Sequence, residues 1–249
     1  MLIPHPSGSY QFLQGIDPYS CGVVAEAGYE IVHATLARHL PWREGCDRVT
    51  SYLQRLGLER SALCAMELRS PAPFSLQGFI DFNNEYCALL KSWDLYVGDL
   101  NPLARTNVAP AHHPPEVPSL HAFSYVIPHR DIQRPTLIVA GAGELREGVL
   151  DSAGIIRPGD TSPAAIHEKA AHVMQVMCDR LQALGGEWNL INDVDIYTVH
   201  PLDEILGQVI LPAIGPARAR GTRWIYSRPP VIDIEFEMDL HGVVTDKVI

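Results

Sequence analysis

The stretch from Gly154 to His200, GIIRPGDTSPAAIHEKAAHVMQVMCDRLQALGGEWNLINDVDIYTVH, constrains this chain more than any other. Ser162 stands at an N-cap position, with Pro163 at the first helical position, where its missing N–H is not needed. Ile166, Ala170, Val173, Met174, Met177 and Leu181 then recur at helical spacing and give one apolar face. Gly185 and Gly186 stop the helix, as glycine does just past a C-terminus. Trp188, Leu190 and Ile191 follow, and then Val194, Ile196, Tyr197 and Val199 mark a strand. The unit is a turn, a long amphipathic helix, a Gly-Gly stop and a strand.

The rest of the chain alternates in the same way. Val23, Val24, Ile31 and Val32 place β-branched residues either side of the Ala27-Gly28 turn, which predicts two strands. Residues 42–56 predict a helix stopped by Gly57, and residues 62–69 a strand. Residues 75–93 predict a second amphipathic helix, with Phe79, Phe82, Tyr86, Leu89 and Leu90 inward. Residues 101–110 and 120–127 predict a hairpin, and 128–135 a linker. From residue 136 the plan restarts: strand, the helix 162–184, the strand 194–199, a helix over 202–213 and a last pair of strands. An order that repeats after about 120 residues suggests an internal duplication.

The TSP turn, the helix ending in LQALGG, Trp188 and the strand DVDIY together resemble the Rid family of reactive imine and enamine deaminases. That family is related to the chorismatases and the 2-aminomuconate deaminases. Pro18-Tyr19-Ser20 is similar to the turn that opens its domains, and Ala104-Arg105-Thr106 to the strand whose arginine binds a substrate carboxylate. The resemblance implies an α+β fold of two Rid-like (chorismate mutase-like) halves, residues 1–130 and 131–249. Each half would be a mixed β-sheet with helices packed on one face. Each would leave a sheet face to cover, so a homo-oligomer, a trimer or hexamer, is expected.

The same resemblance nominates the site. Arg105 would hold a carboxylate through two parallel hydrogen bonds. Arg223 would be its second-half counterpart, with Arg218 and Arg220 as rivals, if the chain turns at residues 227–230 and sets Arg223 across from Ile234 and Glu235. Asp233 and Glu235 share one face of the last strand and are candidates for acid–base work, with His121 as the first-half equivalent. Tyr19 would close the pocket, and Asn107 lies two residues beyond Arg105 on the same face. The implied activity is hydrolysis of an enamine or imine that carries carboxylates, of the 2-aminomuconate kind, with loss of ammonia. The alternatives are a chorismatase-like hydrolase of an enolpyruvyl ether and a non-catalytic ligand-binding protein.

Composition excludes other classes. A net charge of −10 argues against a nucleic-acid surface, which needs clustered Lys and Arg. No run of about 18 apolar residues predicts a membrane span. The opening MLIPHPSGSY lacks a basic region followed by an apolar core, so no signal peptide is expected. Five cysteines without a CxxC pair read as reduced thiols of a cytoplasmic protein. His167 and His172 are five apart, and so miss the spacing of a helical zinc motif. GAGEL (141–145) is not a dinucleotide fingerprint. No metal and no organic cofactor are therefore expected, and the expected partner is a small carboxylate.

Overall fold

The computed structural model describes residues 1–146 and 152–249. Its strands, among these residues, form two mixed sheets. One runs β1 (Leu2–Pro4), β2 (Tyr10–Leu13), β3 (Gly22–Ala25), β8 (Leu137–Gly143), β12 (Glu237–Gly242), β9 (Asp193–Tyr197), β10 (Arg223–Ile225). The other runs β11 (Ser227–Arg228), β6 (Ala104–Pro110), β5 (Leu63–Arg69), β7 (Ser119–Pro128), β4 (Tyr29–Pro41), β13 (Thr245–Val248).

This topology corrects the expectation of two Rid-like halves with a sheet each. The seven-stranded sheet takes β1–β3 from the start of the chain and the rest from its second half. The six-stranded sheet takes β11 and β13 from the second half. The exchange begins at the predicted 23–32 hairpin. Gly28, at φ 84°, makes the turn, but β3 pairs with β2 and β8, and β4 with β7 and β13. Two other pairings differ from expectation. β5 lies between β6 and β7, parallel to β6, so residues 101–127 are not a hairpin. β10 pairs parallel to β9, and the chain then crosses to pair Ser227 and Arg228 with β6. Periodicity marks a strand but does not name its neighbour.

Three long helices cover the outer faces. α1 (Trp42–Arg55) and α2 (Leu76–Ser92) pack on the six-stranded sheet, where Trp42, Val49, Phe82, Tyr86 and Leu90 meet Met66, Leu68, Leu120 and Phe123. α3 (Pro163–Ala183) packs on the seven-stranded sheet, where Val173, Met174, Met177 and Leu181 meet Leu137, Val139, Met238 and Leu240. Ser162 caps α3 by accepting from the Ala165 N–H at 3.3 Å, and Gly185 ends it at φ 73°. The inner faces of the sheets meet through Tyr10, Phe12, Val23, Ile31, Ala104, Val126 and Ile138. The predicted helix over 202–213 is broken: Asp203–Ile205 is α-helical, Leu206–Ile210 has π-type turns, and Pro212 sits in the last turn. Among the described residues no helix is long and apolar enough to cross a membrane.

Candidate functional site

A cavity of about 730 Å³ opens where α2, β6, the end of β8, the start of β12 and α3 converge. Its walls include Ile16, Phe79, Ile80, Val176 and Ile232, and it also receives Arg105, Arg180, Asn107, Tyr19 and Glu237. That size and lining, mostly apolar with a few polar groups, suit a small organic ligand.

Arg105 and Asn107 alternate with Thr106 along β6 and stand on its helix-facing side. The Arg105 guanidinium carbon lies 5.0 Å from the Tyr19 ring centre, 4.9 Å from Tyr86 and 5.7 Å from Phe79. Those faces hold the cation by its attraction to the aromatic quadrupole. The side chain is buried, yet its Nη1 has no hydrogen-bond partner. Asn107 accepts from Ser70 Oγ at 3.0 Å, and its Nδ2 is likewise unpartnered. Unsatisfied buried donors are costly, and two on one cavity wall mark where an anionic acceptor fits. From α3, Arg180 also reaches the cavity and donates to the Ala140 carbonyl at 3.3 Å.

Glu237 brings a buried carboxyl to the cavity wall. Burial pushes its carboxyl up to about 8, against the pull of the nearby Arg105, with the Glu144 charge adding to the rise. The group is therefore largely protonated at neutral pH. It sits against bare backbone at Gly141, where an added methyl would collide with Glu237 Oε1 and lie 3.0 Å from Thr106 Oγ1. A fully buried ion pair braces the segment leading into β12. Lys169 on α3 donates to Glu144 at 2.9 Å, and Glu144 accepts the backbone N–H of Glu235 at 2.6 Å and of Phe236 at 2.9 Å. Burial pushes the Tyr19 hydroxyl up and outweighs the opposing pull of the Arg105 and Arg180 charges, so it stays neutral.

The cavity thus brings together Arg105, Asn107, Tyr19 and, at its rim, Asp233, which is exposed and in the left-handed region at φ 73°. It does not receive the other nominated residues. Glu235 pairs with His200 at 2.8 Å. His121 stacks edge-on against His39, with Nδ1 to Nε2 at 3.0 Å, and burial followed by the Arg69 charge pushes its imidazole down to about 3. Arg223 makes two bonds to Asp195, at 2.5 and 2.7 Å, on the parallel β9–β10 pair. Arg220 donates to the Ile191 carbonyl at 3.2 Å, and Arg218 is exposed.

Sequence reasoning missed Glu237 and Arg180. The signal for Glu237 was present: Asp233, Glu235, Glu237, Asp239 and His241 fall on every second residue, and the alternation extends past the two acids first singled out. For α3, Lys169 and Arg180 fall at helical spacing among Ile166, Val173 and Val176. A charge on the apolar stripe of a helix needs a buried partner or a cavity.

A second polar cluster lies apart from the cavity, between the sheets. His33 on β4 bonds Glu67 Oε1 through Nε2 at 2.8 Å and Asp246 Oδ1 through Nδ1 at 2.9 Å. Burial opposes charge on His33, but the bonds to Asp246 and Glu67 outweigh it and push the imidazole up to about 10. Arg69 donates to Glu67 Oε2 at 3.1 Å. Across the seam, Thr106 donates to Asp239 Oδ2 at 2.6 Å and Tyr197 to the same oxygen at 3.1 Å.

Comparison with known proteins gives a family, one relative and two structural neighbours. A family model described as "2-aminomuconate deaminase CnbZ" matches residues 2–247. A protein of Comamonas testosteroni described as 2-amino-5-chloromuconate deaminase is 39% identical over 244 residues, which cover 97% of this chain and 96% of that protein. Among solved structures, a chorismatase aligns over 90% of this chain and 77% of its own at 10% identity with TM-score 0.45. A cyanuric acid hydrolase aligns over 88% and 69% at 10% identity with TM-score 0.41.

Proposed function

The chain belongs to the 2-aminomuconate deaminase family, and on that premise we propose that it is an aminohydrolase acting on an enamine dicarboxylate of the 2-aminomuconate type. Arg105 Nη1 and Asn107 Nδ2 take the carboxylate beside the amino-bearing carbon, and Arg180 takes the far one. The apolar walls formed by Ile16, Phe79, Ile80 and Ile232 accept the unsaturated carbon chain. Glu237 does the proton work. Its carboxylic acid protonates the enamine carbon, which leaves an iminium and a carboxylate. The carboxylate then takes a proton from water as the water oxygen bonds to the iminium carbon. The resulting carbinolamine receives that proton on nitrogen, expels ammonia and returns its hydroxyl proton to Glu237. The product is the 2-oxo acid, and Glu237 ends protonated as it began.

The observation that carries this reading is the pairing, in one cavity, of a buried arginine with an unpartnered donor and a buried carboxyl held protonated near neutral pH. Such a carboxyl gives up a proton readily and takes it back readily, as general acid–base catalysis requires. The test is to incubate the purified chain with 2-aminomuconate in heavy-oxygen water. Ammonia and 2-oxo acid should form one to one, with solvent oxygen in the new carbonyl. A folded protein that releases no ammonia from this substrate contradicts the reading.

A further inference from the structure

We propose that His33, Glu67 and His241 form a binding site for one divalent transition-metal ion of the zinc class, at the seam between the two sheets. None of the three lines the cavity described above. His33 and Glu67 come from the six-stranded sheet and His241 from the seven-stranded one, so the ion would tie the sheets together.

The ligand atoms lie within 4.8 Å of one another, and all three residues are buried. His33 Nε2 is 2.8 Å, and His241 Nε2 3.6 Å, from Glu67 Oε1. Ligands held at about 2.0–2.2 Å from a tetrahedral ion stand roughly 3.3 Å apart, so small side-chain rotations bring the set to coordinating distance. Two imidazoles and one carboxylate are a donor set that suits zinc and its neighbours.

An independent observation points to a ligand here. The Asp239 Oδ1 has no hydrogen-bond partner, although the residue is wholly buried. The Asp239 oxygen lies 4.0 Å from His241 Nε2, so it faces the cluster. The outer groups are also those of a metal site. Asp246 holds His33 Nδ1, the carboxylate–histidine arrangement that orients a ligating imidazole, and Arg69 holds the second Glu67 oxygen. A space of about 10 Å³ lined by Glu67, Thr106 and His241 adjoins the set, room for about one water-sized ligand. The His33 ring spans Glu67 and Asp246 through its two nitrogens, so Nε2 can turn to an ion while Nδ1 stays on Asp246. Spacing could not reveal this site, because His33 and Glu67 are 34 residues apart and His241 is far beyond both.

The experiment is calorimetric titration of the chelator-stripped full chain with zinc chloride, together with the visible spectrum of the cobalt(II) form and the thermal midpoint. One ion per chain, a cobalt spectrum of a four-coordinate nitrogen–oxygen site and a raised midpoint are expected. Asp246 is exposed, so Asp246→Asn should fold as wild type does, and it should weaken binding by about 10- to 100-fold. Glu67→Gln should weaken it further, with circular dichroism as the folding control. No binding with zinc in large excess overturns the proposal. So does binding that both variants leave unchanged, or binding that His39→Ala abolishes, which would assign the ion to the His39–His121 pair.

Discussion

Replacing Arg105 tests the carboxylate clamp. Arg105 is 3% exposed, its guanidinium packs against three aromatic rings, and its Nη1 is unpartnered. A substrate carboxylate that meets it there exchanges hydration for charge-assisted hydrogen bonds in a partly dry pocket. Arg105→Ala removes those bonds and leaves the carboxylate desolvated. Breaking one partner of a buried charge pair costs about 2–5 kcal/mol. At about 1.4 kcal/mol per tenfold, kcat/KM for ammonia release should fall roughly 30- to 5,000-fold. Arg105→Lys should recover only part of this, because an ammonium is a point charge without the planar fork and stacks less well on Tyr19 and Tyr86. The assay is steady-state ammonia release, with thermal unfolding to confirm that each variant folds. Near-wild-type kcat/KM in a folded Arg105→Ala protein would refute the clamp.

Other outcomes follow from the same geometry. In the proposed mechanism Glu237 starts protonated, so kcat/KM should be flat near neutral pH and fall tenfold per unit above about 8, measured as a pH–rate profile. Its folded pKa lies above the unfolded value, so the folded state binds more protons between pH 4.5 and about 8; that contribution to stability is fully present below 4.5 and lost as pH rises through about 8, which denaturant titrations at both ends would read. Lys169→Met leaves Glu144 buried without its cation and should cost about 3–5 kcal/mol of unfolding free energy by the same titration. Gly141→Ala pushes its methyl into Glu237 and should cut kcat by about 10²-fold, the scale of a 1 Å misplacement, while circular dichroism stays native.

The sequence exposed local structure well and long-range structure poorly, for physical reasons. The Ser162 cap, the stripe from Ile166 to Leu181 and the Gly185 stop are written within about 25 consecutive residues, and α3 forms there. α2 with its Ser75 cap is similar. Strand partners are not written locally. Val23 and Ile31 sit either side of one turn in both the expected and the observed structure, yet their strands enter different sheets. That choice depends on which faces bury together across the whole chain. It also decides which carboxyl reaches the cavity beside Arg105. With Arg223 held by Asp195 and the chain crossing sheets after Ile225, the last long strand begins at Glu237, so its acid faces Arg105 across the cavity in place of Asp233 or Glu235. The place of Arg105 on the cavity wall was legible because its neighbours Ala104 and Thr106 resemble a known strand; that of Arg180 was not, since nothing in the helix pattern distinguishes a cavity from a buried partner.

If Glu237 moves the proton, Glu237→Gln should stop the reaction without disturbing the fold. The amide keeps the shape and neutral state that the buried carboxyl has near pH 7, so the fold should be unchanged, yet it can neither give a proton to the enamine carbon nor take one from water. Single-turnover ammonia release from 2-aminomuconate by the folded variant should fall by about 10²- to 10⁴-fold, with substrate affinity largely kept. Release within a few-fold of wild type would remove Glu237 from the chemistry.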